Sequence, residues 1–258
     1  FFTVKPSFDC FASVYDSDFE YGVVNPGSFK ASYLKLIDWV SCFLPDLVFL
    51  DTQEHADYLA ELTGLPRKKF DWVYVGTDED FFKPVKRKKT GFFNVFFCGQ
   101  VTPIHGFEFI VKACEMLADA KKIKFTFVGQ NRYYRELRDS YKKQNIVFFD
   151  KISYSEYRDF VVKADAFLVG HFGNRAKSKR VIPNKVFEGL ASKTPIIVGE
   201  SEPAIEAGFK NKVNCMLVEQ GNANAIKDAI TALSKNTRLC KKISSNGFAL
   251  FNKNFNLG

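Results

Sequence analysis

Residues 183–188 combine side chains that suit a nucleotide diphosphate. Pro183 fits the first turn of a helix, where its missing N–H costs no hydrogen bond. A helix N-terminus presents free N–H groups and partial positive charge to an anion, and Arg180 and Lys185 add full charges nearby. The Glu188 carboxylate, one turn further on, suits the hydroxyls of a ribose. The alternative interpretation is a surface helix whose glutamate makes a routine ion pair.

The chain has a formal net charge of +8, which suits phosphorylated small molecules, nucleic acid or an anionic membrane. One basic group lies directly before the 183–188 segment and consists of Arg175, Lys177, Lys179 and Arg180. A second consists of Lys83, Lys86, Arg87, Lys88 and Lys89, and is interpreted as a solvated linker or as a membrane-facing patch. The sequence has no helix-turn-helix, RNP-like or zinc-finger pattern, which argues against nucleic acid.

Short apolar runs alternate with helical patterns from residue 46 onward, which is typical of βαβ units and a parallel sheet. Strands are predicted at 47–50, 72–75, 95–98, 125–128, 146–149, 166–169, 195–198 and 215–218. One helix is predicted to open at Asp51-Thr52 and to end at Gly64. Further helices are predicted at 107–117, 131–142, 154–162, 184–190, 225–233 and 239–255. In such a sheet the ligand crevice lies at the carboxyl ends of the strands.

Pro84 and the basic run after it predict a domain boundary near residue 88. We therefore predict a partial N-terminal, acceptor-side domain over residues 1–88. A complete C-terminal doubly wound domain, which binds the nucleotide, follows over residues 89–235. The opening residues 1–6 carry neither an initiator Met nor signal-peptide features. Either further sequence upstream completes the first domain, or the chain does not catalyse alone.

Six cysteines are scattered without a CxxC pair, and the three histidines lie far apart in sequence. This pattern predicts buried, reduced thiols and no metal site. No stretch of the sequence approaches the roughly 18 apolar residues that a membrane-spanning helix needs.

Several short motifs, taken in order and spacing, resemble those of the glycosyltransferases of family four, which have the GT-B fold. They are Val75-Gly76-Thr77-Asp78 with Phe82 and Pro84, residues 97–106, residues 127–130, the set Pro183, Lys185, Glu188, Ala191 and Pro195, and finally Glu206. The resemblance covers residues 46–255. It implies that the terminal segment, residues 236–258, is a helix that crosses back to the N-terminal domain.

The resemblance also implies which residues bind the donor. They are Gly99, Gln100, His105, Gly129, Arg175, Arg180, Asn184, Lys185 and Glu188. For catalysis itself the candidates are Arg180, Lys185 and Asp16. No metal and no other cofactor is expected, because in this family the nucleotide-sugar is a substrate. A UDP or GDP form is expected.

Three departures from the family pattern concern charge. Arg180 stands where the family has a glutamate, and Gln100 and His105 stand where its opening loop has Arg and Lys. Gln100 is neutral, and His105 is charged only if its pKa exceeds the ambient pH. We therefore predict that the basic group at residues 175–180 holds the diphosphate, with Arg180 as its main contact.

The resemblance therefore implies a hexosyltransferase-type glycosyltransferase, which would be retaining and metal-independent. It would transfer sugar from a nucleotide-diphosphate sugar to a glycan or lipid-linked acceptor in polysaccharide biosynthesis. A cytoplasmic location is expected, with possible peripheral contact to the inner face of an anionic membrane and no nucleic-acid partner. Two alternatives remain. One is a catalytically silent donor-binding fragment of such an enzyme. The other is a different nucleotide-binding Rossmann protein, which would need a Gly-x-Gly-x-x-Gly motif after its first strand, and this sequence has none.

Overall fold

The computed structural model describes residues 5–87, 90–130, 132–140 and 145–256. The chain divides into two compact units. The first unit contains Phe1–Val75, Arg175–Ile182 and Ser201–Pro203, and the second contains Gly76–Asn174, Pro183–Glu200 and Ala204–Gly258. Each unit has its own parallel sheet, which confirms the predicted α/β class with two Rossmann-like sheets. The predicted boundaries at residues 88 and 235 stay predictions, and residue 88 itself lies outside the described part.

The first unit is built on a small sheet of order β1-β2-β3. Its elements are β1 (Ser7–Asp9), α1 (Val14–Glu20), α2 (Phe29–Phe43), β2 (Leu47–Leu50), α3 (Gln53–Thr63) and β3 (Phe70–Trp72). The Thr52 hydroxyl accepts from His55 N–H and caps α3, which ends at Gly64 with φ 67°, as the sequence predicted. Strand β3 ends at Trp72, whereas the sequence predicted a strand over residues 72–75.

One face of α2 exposes large apolar side chains. Phe29 at its start is 89% exposed, while only Ala31, Asp38 and Cys42 of this helix are buried. The other exposed members are Tyr33, Leu36, Trp39, Val40 and Phe43, with Leu44 directly after the helix. The Trp39 and Phe43 rings stack at a centroid distance of 4.7 Å, so part of this surface is covered by its own neighbours.

The second unit is built on a sheet of order β6-β5-β4-β7-β8-β9, with every pair parallel. Its strands are β4 (Phe93–Gln100), β5 (Ile123–Gln130), β6 (Ile146–Phe149), β7 (Ala166–Gly170), β8 (Ile196–Gly199) and β9 (Met216–Val218). Its helices include α4 (Phe107–Glu115), α5 (Arg132–Ser140), α6 (Tyr154–Lys163), α7 (Lys185–Ala191), α9 (Ala223–Lys235) and α10 (Thr237–Asn254), and a short α8 (Glu202–Glu206) precedes α9.

All six strands predicted for this part of the chain are present, and β4 and β5 are longer than predicted. The predicted ends of α5 at residues 131 and 142 lie outside the described residues. Strand order reverses at β4, whose neighbours are β5 on one side and β7 on the other. In doubly wound sheets such a reversal opens a crevice at the carboxyl ends of the strands.

Phenylalanine rings fill the core of the second unit. Phe97, Phe107 and Phe127 are almost fully buried, and the Phe107 and Phe127 rings meet edge to face with centroids 5.5 Å apart. Helix α10 packs against α7 and α9, and the Phe255 ring at its end contacts Phe187 of α7 at 5.1 Å. That α10 also crosses back to the N-terminal domain stays a prediction.

The second basic group divides by burial. Lys83 and Lys86 are exposed. Arg87 instead donates to the main-chain oxygens of Ala164 and Lys193, at 2.8 and 2.9 Å, and so ties the linker to the second unit. Lys88 and Lys89 lie outside the described residues. The interpretation of this group as a membrane-facing patch stays a prediction.

The six cysteines are free thiols. Among the described residues no group of three or more His, Cys, Asp or Glu side chains is arranged to hold a metal ion. Within the same residues, no helix combines the length and the apolar character needed to cross a bilayer.

Candidate functional site

A cavity of about 560 Å³ opens in the second unit at the carboxyl ends of β4, β5 and β6. The first turns of α6 and α7 complete its wall. Its lining consists of Cys98, Gly99, Gln100, Val128, Gly129, Gln130, Asp150, Lys151, Ile152, Ser153, Tyr154, Tyr157, Asn184, Lys185 and Glu188. It therefore occupies the edge of the sheet where a doubly wound fold binds its ligand.

The register of the two central strands brings their last residues to this edge. Gly99 of β4 pairs with Gly129 of β5, and Gln100 pairs with Gln130. A side chain on Gly129 would place its Cβ 2.7 Å from the Tyr134 ring, so only glycine lets α5 approach the end of β5. The Tyr134 hydroxyl lies 2.8 and 2.9 Å from the main-chain oxygens of Phe127 and Phe149, which share its single proton, and it holds the ends of β5 and β6 together.

Local hydrogen bonds fix the two helices that face the cavity. Ser153 and Glu156 form a capping box at the start of α6: the Ser153 hydroxyl accepts from Glu156 N–H, and the Glu156 carboxylate accepts from Ser153 N–H. Before α7, Val186 N–H donates to the Pro183 oxygen at 2.9 Å. Lys185 and Glu188 are therefore presented on one side of the first turn of α7, because residues three apart share a helix face.

Glu188 has a buried partner in α6. The Tyr157 hydroxyl donates to Glu188 Oε2. Burial raises the pKa of the Glu188 carboxyl above its usual range, while the Tyr157 hydrogen bond and the Lys185 charge act in the opposite direction. Burial also raises the pKa of the Cys98 thiol to about 11, so this cysteine is uncharged at neutral pH.

His105 lies beside Gly99 but is not among the residues that line the cavity. Its Nε2 lies 3.5 Å from where a Cβ on Gly99 would stand, and its Nδ1 shares a hydrogen bond of 2.7 Å with the Thr102 hydroxyl. Burial, with a contribution from the Lys185 charge, lowers the pKa of His105 to about 4. The imidazole is therefore neutral at neutral pH, and it adds a hydrogen-bonding group to the site but no charge.

The structure brings most of the predicted donor residues together. Gly99, Gln100, Gly129, Asn184, Lys185 and Glu188 all line the cavity. Arg175 and Arg180 are not among its lining residues and belong to the first unit.

In that unit Arg180 and Lys177 both pair with Asp16, the acceptor-side candidate. Arg180 Nη2 lies 2.6 Å from Asp16 Oδ1, and Lys177 Nζ lies 3.2 Å from Asp16 Oδ2. The Arg180 guanidinium also stacks on the Tyr58 ring at 3.7 Å. That Arg180 binds the diphosphate stays a prediction. In the structure its counter-ion is the Asp16 carboxylate.

The cavity lining also includes four residues with reactive or polar groups that the sequence did not predict: Asp150, Lys151, Tyr154 and Tyr157. The first two directly follow β6, so the rule that parallel strands end at one edge was sufficient to find them. Tyr157 carried no such signal, because an aromatic residue in the apolar pattern of a helix predicts only core packing.

The second unit is a doubly wound domain with a polar cavity beyond its strand ends, and the same chain contains a second parallel sheet. This arrangement matches the GT-B class of glycosyltransferase folds. The family model described as glycosyl transferases group 1 matches residues 93–236. The chain belongs to this family, which is a family of transferases.

Solved structures with the same fold include that of HepE from Anabaena in complex with UDP and glucose. It superposes with a TM-score of 0.74 at 14% identity, over 97% of this chain and 67% of HepE. Sucrose-phosphate synthase from Thermosynechococcus elongatus gives 0.75 at 16% identity, over 97% and 63% of the two chains. The C-terminal domain of the group 1 glycosyltransferase LpcC from Francisella tularensis gives 0.60 at 19% identity, over 71% of this chain and all of that domain. This chain thus spans about two thirds of the length of HepE and of the synthase. No curated protein matches it by sequence.

Proposed function

We propose that this protein transfers a sugar from a nucleotide-diphosphate sugar to an acceptor, with the donor bound in the cavity of the second unit. One observation carries the proposal: Lys185 and Glu188 stand one turn apart on the cavity wall of a group 1 glycosyltransferase. A cation and a carboxylate at this spacing match the phosphate and the ribose diol of a nucleotide. A UDP form of the donor is favoured, because the HepE structures contain UDP, UDP with glucose, or UDP-glucose.

Three polar side chains have a role in this proposal. Lys185 binds the diphosphate and stabilises the negative charge that develops on it as the bond to the sugar breaks. The Glu188 carboxylate accepts hydrogen bonds from the ribose hydroxyls. When the Thr102 hydroxyl donates to His105 Nδ1, the proton is on Nε2, which then donates to a phosphate or sugar oxygen.

The reaction itself is proposed to retain the configuration of the sugar at its anomeric carbon and to use a glycan or a lipid-linked molecule as acceptor. The charge that leaves with the nucleoside diphosphate is met by Lys185, so transition-state stabilisation is electrostatic. Incubation of the protein with UDP-glucose and candidate acceptors, with UDP release and product stereochemistry followed by NMR, tests this step. Donor binding without any UDP release would favour the alternative of a silent donor-binding protein.

Substitution of Glu188 tests the donor site directly. Glu188→Ala is expected to weaken UDP binding by about 1.5–3 kcal/mol, the usual range for hydrogen bonds to a charged group. The measurement is isothermal titration calorimetry with UDP. Glu115→Ala is the matched control, because Glu115 is an exposed glutamate of α4 and does not line the cavity. Equal UDP affinity for the Glu188→Ala variant and the wild type would contradict the proposed site.

A further inference from the structure

Tyr157 is a buried residue that the proposed roles leave unused. Its ring packs against the rings of Phe82, Phe96 and Phe167, with centroid distances of 5.9, 6.0 and 6.5 Å. Its side chain is only slightly exposed, yet its hydroxyl points into the cavity wall and donates to Glu188 Oε2. The ring of Tyr157 therefore lies in the core, while its hydroxyl contacts the Glu188 carboxylate that we propose binds the ribose.

The hydrogen bond restricts how Glu188 can meet a ligand. A free glutamate side chain has several rotatable bonds, and fixing it on binding costs conformational entropy. With Oε2 held by Tyr157, the carboxylate is already fixed in one plane before the nucleotide arrives. Oε1 and the remaining lone pair of Oε2 are then the acceptors left for the two ribose hydroxyls.

We propose that Tyr157 is a positioning residue that directs the Glu188 carboxylate at the adjacent 2′ and 3′ hydroxyls of the nucleotide ribose. The inference rests on the proposed function, since it assigns to Glu188 the same ligand. It adds a specificity: a carboxylate fixed for two hydroxyls discriminates against a ribose that lacks one of them, because the unmet acceptor stays desolvated.

The groups around Glu188 give this role a pH dependence. Lys185 of its own helix, Cys98 of β4, and Tyr154 and Tyr157 of α6 are the titratable groups that interact with it. Of these, Tyr157 and Lys185 lower the pKa of Glu188 against the effect of burial. Removal of the Tyr157 hydroxyl therefore raises the pKa of Glu188 further, and the loss of nucleotide binding on acidification begins at a higher pH.

Tyr157→Phe is the direct test, because it keeps the packed ring and removes only the hydroxyl. Tyr33→Phe is the control: Tyr33 is an exposed tyrosine of α2 in the first unit and does not line the cavity. UDP and 2′-deoxy-UDP are titrated into each variant by calorimetry between pH 5.5 and 8.5. For Tyr157→Phe we expect about a tenfold weaker UDP affinity, a smaller preference for UDP over 2′-deoxy-UDP, and an acid limb displaced to higher pH.

The Glu188→Ala background separates positioning from a purely structural role. There Tyr157→Phe should change UDP affinity no further, since the group it positions is gone. An equal loss in both backgrounds would overturn the inference. The inference would also be overturned if Glu188→Ala weakened UDP binding while Tyr157→Phe left the affinity, the selectivity and the pH profile unchanged. That result would leave the proposed function standing. The proposed function fails instead if Glu188→Ala binds UDP as the wild type does.

Discussion

Two clusters of charged side chains, one taken from each unit, differ in what satisfies them. In the first unit Asp16 pairs with Lys177 and Arg180. The side chain of Asp16 is 1% exposed, that of Lys177 is 8% exposed and that of Arg180 is 17% exposed. In the second, Lys185 and Glu188 line a cavity of about 560 Å³. The first cluster has its counter-ions within the protein, whereas the second presents a cation and a carboxylate to an open space. Charge is thus neutralised inside the first unit and left facing a cavity in the second.

Further hydrogen bonds strengthen the internal cluster. Lys177 N–H donates to Glu20 Oε1 at 3.1 Å, and Lys177 Nζ donates to the Ser17 hydroxyl at 2.9 Å. The Thr52 hydroxyl donates to the Arg180 main-chain oxygen at 2.5 Å. The segment Arg175–Ile182 is therefore held to α1 and to the start of α3 by both its side chains and its main chain.

The largest expected effect comes from removal of the shared carboxylate. Asp16→Ala leaves two largely buried cations without their counter-ion, so we expect the free energy of unfolding to fall by about 3–5 kcal/mol. Trp39 and Trp72 are the two tryptophans of the chain and both lie in the first unit, so their fluorescence during urea denaturation follows this unit.

Asp18→Ala is the matched control for this comparison. Asp18 pairs with Lys30, and the two side chains are 34% and 51% exposed. Exposed pairs contribute at most about 1 kcal/mol, so the control should unfold close to the wild type. If Asp16→Ala destabilised the unit no more than Asp18→Ala, the distinction between an internal and an open cluster would be lost.

A smaller effect is expected at His105, and its pH profile sharpens the contrast with Glu188. Because the pKa of His105 is lowered to about 4, the imidazole stays neutral from pH 5.5 to 8.5. His105→Ala should therefore weaken UDP binding by about 0.5–1.5 kcal/mol, the range for a neutral hydrogen bond, and by the same amount across this interval. A loss that grew steadily toward pH 5.5 would show that the imidazole binds phosphate as a cation. Calorimetric titration of wild type and variant in parallel provides the measurement.

The smallest expected effect concerns how much the charge on the Glu188 carboxylate destabilises the folded protein. Since burial raises the pKa of Glu188, the folded protein binds this proton more tightly than the unfolded chain does. The stability associated with the group is present below the unfolded pKa and is lost as pH rises through the folded pKa. Glu188→Gln should therefore unfold at a slightly higher urea concentration than the wild type at neutral pH. The difference should vanish below about pH 4, where the unfolded glutamate is also protonated. A variant less stable than wild type at neutral pH would contradict this assignment of cause.

The sequence was sufficient to predict the strands of the second unit and the cavity edge, because both follow from local patterns. Apolar runs mark the strands, and parallel strands end on one side, which predicted the edge of the crevice. The start of α7 was predicted from the residue types at positions 183–188, whereas Gly99 and Gly129 came from the resemblance to the family's motifs. The partners of the charged residues were not predictable in this way. Asp16 and Arg180 are 164 residues apart, and Tyr157 and Glu188 are 31 apart. Pairing over such separations depends on tertiary packing, which no local pattern of residue types records.

The interleaving of the two units along the chain has a consequence for any attempt to divide this protein. Arg175–Ile182 belongs to the first unit although it is encoded between two segments of the second. A fragment that stopped at Val75 would retain Asp16 but would lose Lys177 and Arg180. In a chimera with another glycosyltransferase, joined once at residue 76, Asp16 would come from this chain. The loop that replaces Lys177 and Arg180 would come from the other protein. Exchange of the second unit between relatives therefore requires that the eight residues of Arg175–Ile182 and the three of Ser201–Pro203 stay with the first unit.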